Sequence, residues 1–191
     1  SHRWLEGKTV LFSALTLVAV LIGGLFEIVP MYMVSSNVKK IDSVKPYTPL
    51  EQYGRDIYVR EGCYTCHSQM IRPFRAETER YGDFSRSGEF IYDRPFQWGS
   101  KRIGPDLARV GKRNLSNAWH YEHLMNPRST SPTSIMPAYA FMKDAKVDQG
   151  FLERGIKTLT KLGVPYGKDY EKQAYADAMV QAQGIQKDLR D

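Results

Sequence analysis

The sequence predicts an all-α protein, with one membrane-spanning helix at the N-terminus followed by a single helical domain. Three observations point there. From Val10 to Val29 the chain is apolar apart from Glu27 and a few small polar residues, and at about 1.5 Å per residue that run covers roughly the 30 Å of a bilayer core. Beyond it, apolar residues recur at helical spacing in several stretches bounded by capping residues and by glycine or proline. The length of 191 residues accommodates one modest domain plus an extra element rather than two full domains.

Composition narrows the class. With 42% hydrophobic residues and twelve tyrosines the chain is not a disordered one. The formal charge of +6 is carried by scattered basic residues, which reads as a solvated surface with a steering role, not as a nucleic-acid site.

The elements follow in order. The apolar run is longer than a signal-peptide core, and no small-x-small cleavage site follows it before Lys39, so it reads as a retained anchor. Because the chain starts at Ser1, an initiator methionine and a short leader are expected to precede it. Gly23 and Gly24 offer a flat face for another helix. Glu27, a carboxylate within or at the edge of the span, implies protein or water beside it, with Pro30 and Tyr32 marking the outer boundary. Residues Ser35 to Tyr47 read as a polar linker. A helix then starts at Thr48 as N-cap, with Pro49 at the first position and Glu51 completing a capping box, and it runs to Gly62. Gly54 is expected where this helix crosses a C-terminal one. A second helix is predicted from Ser116, an N-cap, to Asn126-Pro127. A third spans about Val147 to Leu162, ending at Gly163. A last helix, N-capped by Asp169 with Glu171 in its first turn, has a thin apolar face (Ala174, Ala178, Ala182, Ile185, Leu189) and is expected to lie on another protein. The predicted organisation is an anchor at 1–34, a linker at 35–47, a domain at 48–164 with an insert at about 70–103, and a helical extension at 165–191.

Chemistry concentrates at Cys63-Tyr64-Thr65-Cys66-His67. Two thiols separated by two residues can each add to a vinyl group on one edge of a porphyrin, and the adjacent imidazole then ligates the iron. A zinc site would want further ligands, and the chain has only these two cysteines. A thioredoxin-like dithiol would want an α/β frame, and none is visible. The motif thus predicts one covalent haem c. Haem is attached on the outer side of the energy-coupling membrane in bacteria, so the domain is expected to be periplasmic with the N-terminus cytoplasmic; the flanking charges, Arg3 and Lys8 against Lys39 and Lys40, do not decide the orientation by themselves.

An electron-transfer iron needs a second strong axial ligand, and methionine raises the potential relative to a second histidine. Of the seven methionines, Met136 precedes Pro137 in a loop between the second and third helices and is the assigned ligand, with Met142 the next candidate. His120 and His123 would offer bis-histidine ligation, but a helix histidine beside Trp119 reads rather as a surface or core residue. In Gly104-Pro105-Asp106-Leu107, the Pro105 carbonyl is the expected acceptor for the other ring nitrogen of His67, with Leu107 packing on the haem.

In this order, a helix, Cys63-Tyr64-Thr65-Cys66-His67, Gly104-Pro105-Asp106-Leu107, a Met136-Pro137 loop and a closing helix resemble class I cytochromes c over about Thr48 to Gly163. The departure is the insert after His67, rich in arginine and aromatics (Arg72, Phe74, Arg75, Tyr81, Phe84, Phe90, Tyr92, Phe96, Trp98). It is too apolar to dangle in water, and is expected partly to cover the haem and partly to meet a partner. With the anchor, Glu27-Ile28-Val29-Pro30, the segment from Cys63 to Pro73, the Tyr81-Gly82 and Trp98-Gly99 stretches and the tail, the whole chain resembles the monohaem subunits (FixO or CcoO) of cbb3-type cytochrome c oxidases.

That resemblance implies an electron relay in the bacterial inner membrane, single-pass and not an enzyme on its own. Electrons would come from a dihaem cytochrome c subunit or a soluble cytochrome c and pass to haem b of the catalytic haem-copper subunit. It also implies a calcium ion at a subunit interface, which the Trp98-Gly99-Ser100 loop would touch. The competing readings are a free-standing anchored cytochrome c, and a haem peroxidase or ligand sensor with an open sixth coordination position.

Overall fold

The computed structural model describes residues 3–33, 38–99, 101–113 and 115–189, and among these it is helical with no strand. The chain divides into two compact units, 1–41 and 42–191. Residues 35–37 of the expected linker, the side chain of Tyr32, and Ser100 lie outside the described residues.

In the first unit a short helix, α1 (Arg3–Glu6), leads into α2 (Thr9–Met33). The Lys8 ammonium lies over the Trp4 ring at 5.3 Å from its centroid, a pairing suited to a membrane boundary. α2 is long and apolar enough to cross a membrane: its stretch Thr9–Met31 has a mean hydropathy of 2.3, and Val10, Leu17, Val20 and Phe26 are all exposed. A Cβ added at Gly23 or Gly24 meets nothing within 4 Å, so that face is open to a close neighbour. Pro30 sits inside the helix near its end.

The second unit begins with α3 (Pro49–Arg60). Thr48 Oγ1 accepts from Glu51 N–H at 3.3 Å while the Glu51 carboxylate accepts from Thr48 N–H at 2.8 Å, the reciprocal capping box expected from the sequence. α4 (Arg75–Tyr81) lies in the insert. α5 (Asn117–Met125) is N-capped by Ser116, whose hydroxyl accepts from Trp119 N–H at 3.1 Å, and α6 (Pro127–Thr130) follows directly. α7 (Gln149–Lys161) is N-capped by Asp148 and closed by Gly163 at φ 87°, a left-handed turn that glycine adopts without strain. α8 (Glu171–Asp188) is the longest helix of this unit.

The apolar core lies where α3, α7 and α8 meet. Leu152 and Ile156 of α7 pack with Ala174 and Ala178 of α8, ringed by Leu50, Tyr53, Val147, Tyr166 and Tyr170. Two alanines four residues apart present a flat stripe, which lets α8 approach closely. Tyr53 stacks edge-on against Phe151 at 5.9 Å, and its hydroxyl accepts from Asp148 N–H at 3.1 Å.

Three expectations are corrected here. α8 packs on its own domain, tied also by Thr48 Oγ1–H to Gln181 Oε1 at 2.8 Å and by Asn117 Nδ2–H to Asp188 at 2.7 Å, instead of depending on another protein to cover its apolar stripe. Gly54 is exposed and a Cβ added there meets nothing within 4 Å; aromatic packing by Tyr53 sets the α3–α7 spacing, so no small residue is needed at Gly54. Asp169 does not cap α8. Its backbone is left-handed at φ 57°, and its carboxylate pairs with Lys172 at 3.3 Å.

The insert folds back onto the segment after His67. Ile71 is buried, Ser85 N–H donates to Ile71 O at 2.9 Å, and Gln69 N–H donates to Trp98 O at 2.7 Å. Some of its arginines and aromatics meet one another: guanidinium groups of Arg80 and Arg102 lie 5.3 and 5.2 Å from the Tyr81 ring centroid, with Arg113 from beyond the insert at 6.0 Å, and Phe96 stacks on Trp98 at 4.8 Å. This composition holds the insert together from within.

Candidate haem site

The site grows out of the end of α3. Gly62, at φ 72°, takes the left-handed turn that stops the helix, and Cys63–Thr65 form one 3-10 turn. His67 N–H donates to Cys63 O at 3.0 Å and Thr65 Oγ1–H to Gly62 O at 2.7 Å. The tight turn thereby carries Cys63, Cys66 and His67 on one short, hydrogen-bonded piece of chain. Both cysteines are half-buried and are not joined in a disulfide. Burial pushes the Cys63 thiol up, opposed by a hydrogen bond from the Tyr139 hydroxyl; burial, then the charge on Cys63, raises Tyr139 in turn.

His67 is held on two sides. Its Nδ1 lies 2.8 Å from Pro105 O, so that nitrogen carries the proton and donates, which leaves the Nε2 lone pair for a metal. Gly104 lies against the ring: a Cβ built there would fall on Cε1 and within 2.7 Å of Nδ1 and 2.8 Å of Nε2. Only glycine fits. The Gly104–Leu107 turn is sewn to the motif by Gly104 N–H to Cys66 O at 3.0 Å and Leu107 N–H to Ser68 O at 2.9 Å. Leu107 is half-buried in the same turn.

Met136 is half-buried in the loop joining α6 to the 3-10 helix Ala140–Asp144, and Met142 lies in that helix. The loop is held by Met136 N–H to Ser134 Oγ at 3.2 Å and by Tyr139 N–H to Leu124 O at 2.8 Å. Tyr139, at the far end of this loop, is near enough to Cys63 to perturb its thiol. His123 stacks on Trp119 at 4.6 Å, and its Nδ1 lies 2.5 Å from Thr130 Oγ1. Burial, with lesser contributions from the neighbouring imidazoles, holds its pKa down.

Sequence reasoning missed the polar groups behind His67. Asp106, Ser68, Arg102 and Glu77 form one buried network: Ser68 Oγ–H to Asp106 at 2.6 Å, Arg102 Nε–H to Ser68 Oγ at 2.8 Å, and Arg102 Nη2–H to Glu77 at 2.6 Å. The hydrogen bond from Arg102 holds the Glu77 carboxyl down to about 2, against the cost of desolvation. Tyr139 was missed as well; its aromatic neighbours gave no signal beyond packing.

These residues fit a haem. Two thiols sit on one turn, the imidazole presents Nε2 with its other nitrogen committed, and the adjoining segments carry exposed Ile103, Leu124, Ile135 and Phe141, apolar surface of the kind a porphyrin face covers. An all-helical domain with such a histidine defines the class, a haem-carrying helical protein. The family described as cytochrome c oxidase, mono-heme subunit/FixO matches residues 2–191, and the chain belongs to that family. No curated protein matches the chain.

Proposed function

We propose that this chain is the anchored electron-relay subunit of a cbb3-type terminal oxidase. It would carry one covalent haem c, attached at Cys63 and Cys66 and ligated by His67 and Met136. Bound there, the haem supplies a one-electron couple whose geometry changes little between oxidation states. The chain's own residues do the rest. Cys63 and Cys66 would hold the haem as thioethers, each sulfur bonding to a vinyl carbon and its proton passing to the neighbouring carbon. Pro105 O accepts from His67 Nδ1–H, fixing the tautomer and raising the basicity of Nε2. Leu107 would pack against the macrocycle, and Met136 would be the second protein ligand to the iron, which would keep small ligands off it. The observation that carries this reading is the His67–Pro105 hydrogen bond beside Cys63 and Cys66, in a chain of this family.

The remaining parts belong to the same reading: α2 as the single span, the N-terminus cytoplasmic, the domain from about 48 to 164 periplasmic in a bacterial inner membrane. Electrons arrive from a dihaem cytochrome c subunit or a soluble cytochrome c, and leave to haem b of the catalytic haem-copper subunit. A calcium ion at a subunit interface belongs to the same reading; among the described residues no three His, Cys, Asp or Glu side chains gather as a cation site. The test is the optical spectrum of the full chain in detergent, oxidised and reduced, with and without carbon monoxide. A c-type spectrum with the weak far-red band of a ferric iron–methionine bond is expected, unmoved by carbon monoxide; Met136→Ala abolishes the band and admits carbon monoxide, and Met142→Ala does neither. A high-spin or carbon monoxide-sensitive haem in the intact protein overturns the relay.

A further inference from the structure

Behind Pro105 stands a carboxylate that nothing in the relay so far uses. Asp106 is buried, its side chain wholly removed from solvent. One oxygen accepts from Ser68 Oγ–H at 2.6 Å and Met70 N–H at 3.0 Å; the other accepts from Ala108 N–H at 2.8 Å. Arg102 Nη2 lies 3.5 Å away and also donates to Met70 O at 3.0 Å. A buried charge is costly to desolvate even when paired, and packing alone would be served by an apolar residue. The carboxylate does something specific instead: it joins residues 68 and 70, just after His67, to residues 106 and 108, just after Pro105.

We infer that Asp106, acting through Ser68 and Arg102, is the positioning residue that fixes the Pro105 carbonyl on His67 and so tunes the haem potential; this rests on the haem reading above. The Pro105 carbonyl belongs to the peptide plane that ends at the Asp106 nitrogen. With Gly104 N–H and Leu107 N–H bonded to Cys66 and Ser68 on either side, and the Asp106 side chain bonded beyond, that plane cannot rotate away from His67 Nδ1. A firmly held acceptor makes the imidazole more basic, which favours ferric iron and lowers the potential. Asp106→Asn places an amide N–H against one of the donors Ser68, Met70 or Ala108 whichever way it turns, and it removes the charge facing Arg102. Ser68→Ala removes one hydroxyl and no charge.

The experiment measures the midpoint potential and the deuterium exchange of the His67 Nδ1–H in the full chain and in both variants. The expected result is an unchanged c-type spectrum, with the reduction equilibrium shifted at least threefold toward ferrous iron in each variant, about 28 mV at 59 mV per tenfold, and faster exchange of that proton. If Asp106→Asn yields no folded protein, Ser68→Ala decides alone, since it changes no charge near the iron. Unshifted potential and exchange in variants of a protein with the wild-type spectrum overturn this inference and leave the haem reading standing. A parent chain without a histidine-ligated haem overturns both.

Discussion

Two regions meet at the Cys63–His67 turn, and they are held there in different ways. Behind His67, the segment 66–70 is joined to 102–108 and to α4 by buried hydrogen bonds and ion pairs among Ser68, Glu77, Arg102 and Asp106, with Ile71 sealed beneath. The loop from Ser131 to Met142 is held by short-range bonds, Ser134 N–H to Ser131 O at 2.9 Å and Met136 N–H to Ser134 Oγ at 3.2 Å, and by Tyr139 at its far end. Ile135 and Phe141 are exposed at 77% and 64%, so the loop's apolar side chains pack little on the protein itself and are left for the porphyrin. A lost contact behind His67 leaves buried donors and acceptors unpaired, whereas one lost in the loop is replaced by water. In the site proposed above, this difference would make His67 the rigid ligand and the loop methionine the exchangeable one.

The sharpest way to break this comparison is at Gly104. Gly104→Ala puts a methyl group onto a ring that the Pro105 hydrogen bond holds in place, so the ring or the turn must shift. Covalent haem per purified chain is expected to fall at least tenfold, measured by reduced-form absorbance. Gly111→Ala is the control: a Cβ there meets nothing within 4 Å, and haem content stays at the parent level. Equal haem loading in the two variants would refute the tight cradle.

How far this architecture was legible in the sequence follows the same division. The caps at Thr48, Ser116 and Asp148 are local, set by residues within three positions of one another, and the structure has Thr48 and Ser116 where the sequence placed them. The stop at Gly62 and the His67–Pro105 contact were readable because a short motif carries each. The clamp was not, because its members are 25 to 38 residues apart and their types, Ser, Asp, Glu and Arg, look like ordinary surface residues until folded. α8 misled for a related reason: two alanines are a thin apolar face alone, and become a core stripe only when Leu152 and Ile156 meet them. Gly54 suggested a crossing that Tyr53 in fact makes, and Asp169 had the right side chain for a cap but sits one residue too early in a left-handed turn.

Acid separates the clamp from its surroundings. Because Arg102 and Arg72 hold the Glu77 carboxyl at about 2 in the fold, below its ordinary value near 4.5, the folded state binds that proton more weakly than the unfolded one. The stabilisation is full above the ordinary value and is lost as pH falls toward 2. Thermal unfolding followed by circular dichroism from pH 6 to pH 2 is expected to show a falling Tm. Glu77→Gln is less stable at pH 6 and has a flatter profile over that window. Glu79→Gln, which removes an exposed pair with Arg75, leaves the profile as it was; a parallel profile for Glu77→Gln would deny the clamp its charge.

The finest contrast uses the same substitution in both regions. Ser68 is 2% exposed and its hydroxyl links Arg102 to Asp106; Ser68→Ala strands the Arg102 Nε–H and takes one of two close donors from an Asp106 oxygen that keeps Met70 N–H. Leaving buried partners unsatisfied costs about 1–3 kcal/mol. Ser134 is half-buried and accepts one backbone N–H at 3.2 Å, so in Ser134→Ala water takes over that donor and the cost is at most about 0.5 kcal/mol. Denaturant midpoints measured at constant slope give both numbers. The order reverses for ligand exchange, because the loop residue governs how readily Met136 leaves: Ser134→Ala is expected to speed imidazole binding to the ferric protein, while Ser68→Ala is not. Matching losses of stability in the two variants would mean that the loop is as firmly built as the clamp, and that the exchangeable side of the site has been assigned to the wrong ligand.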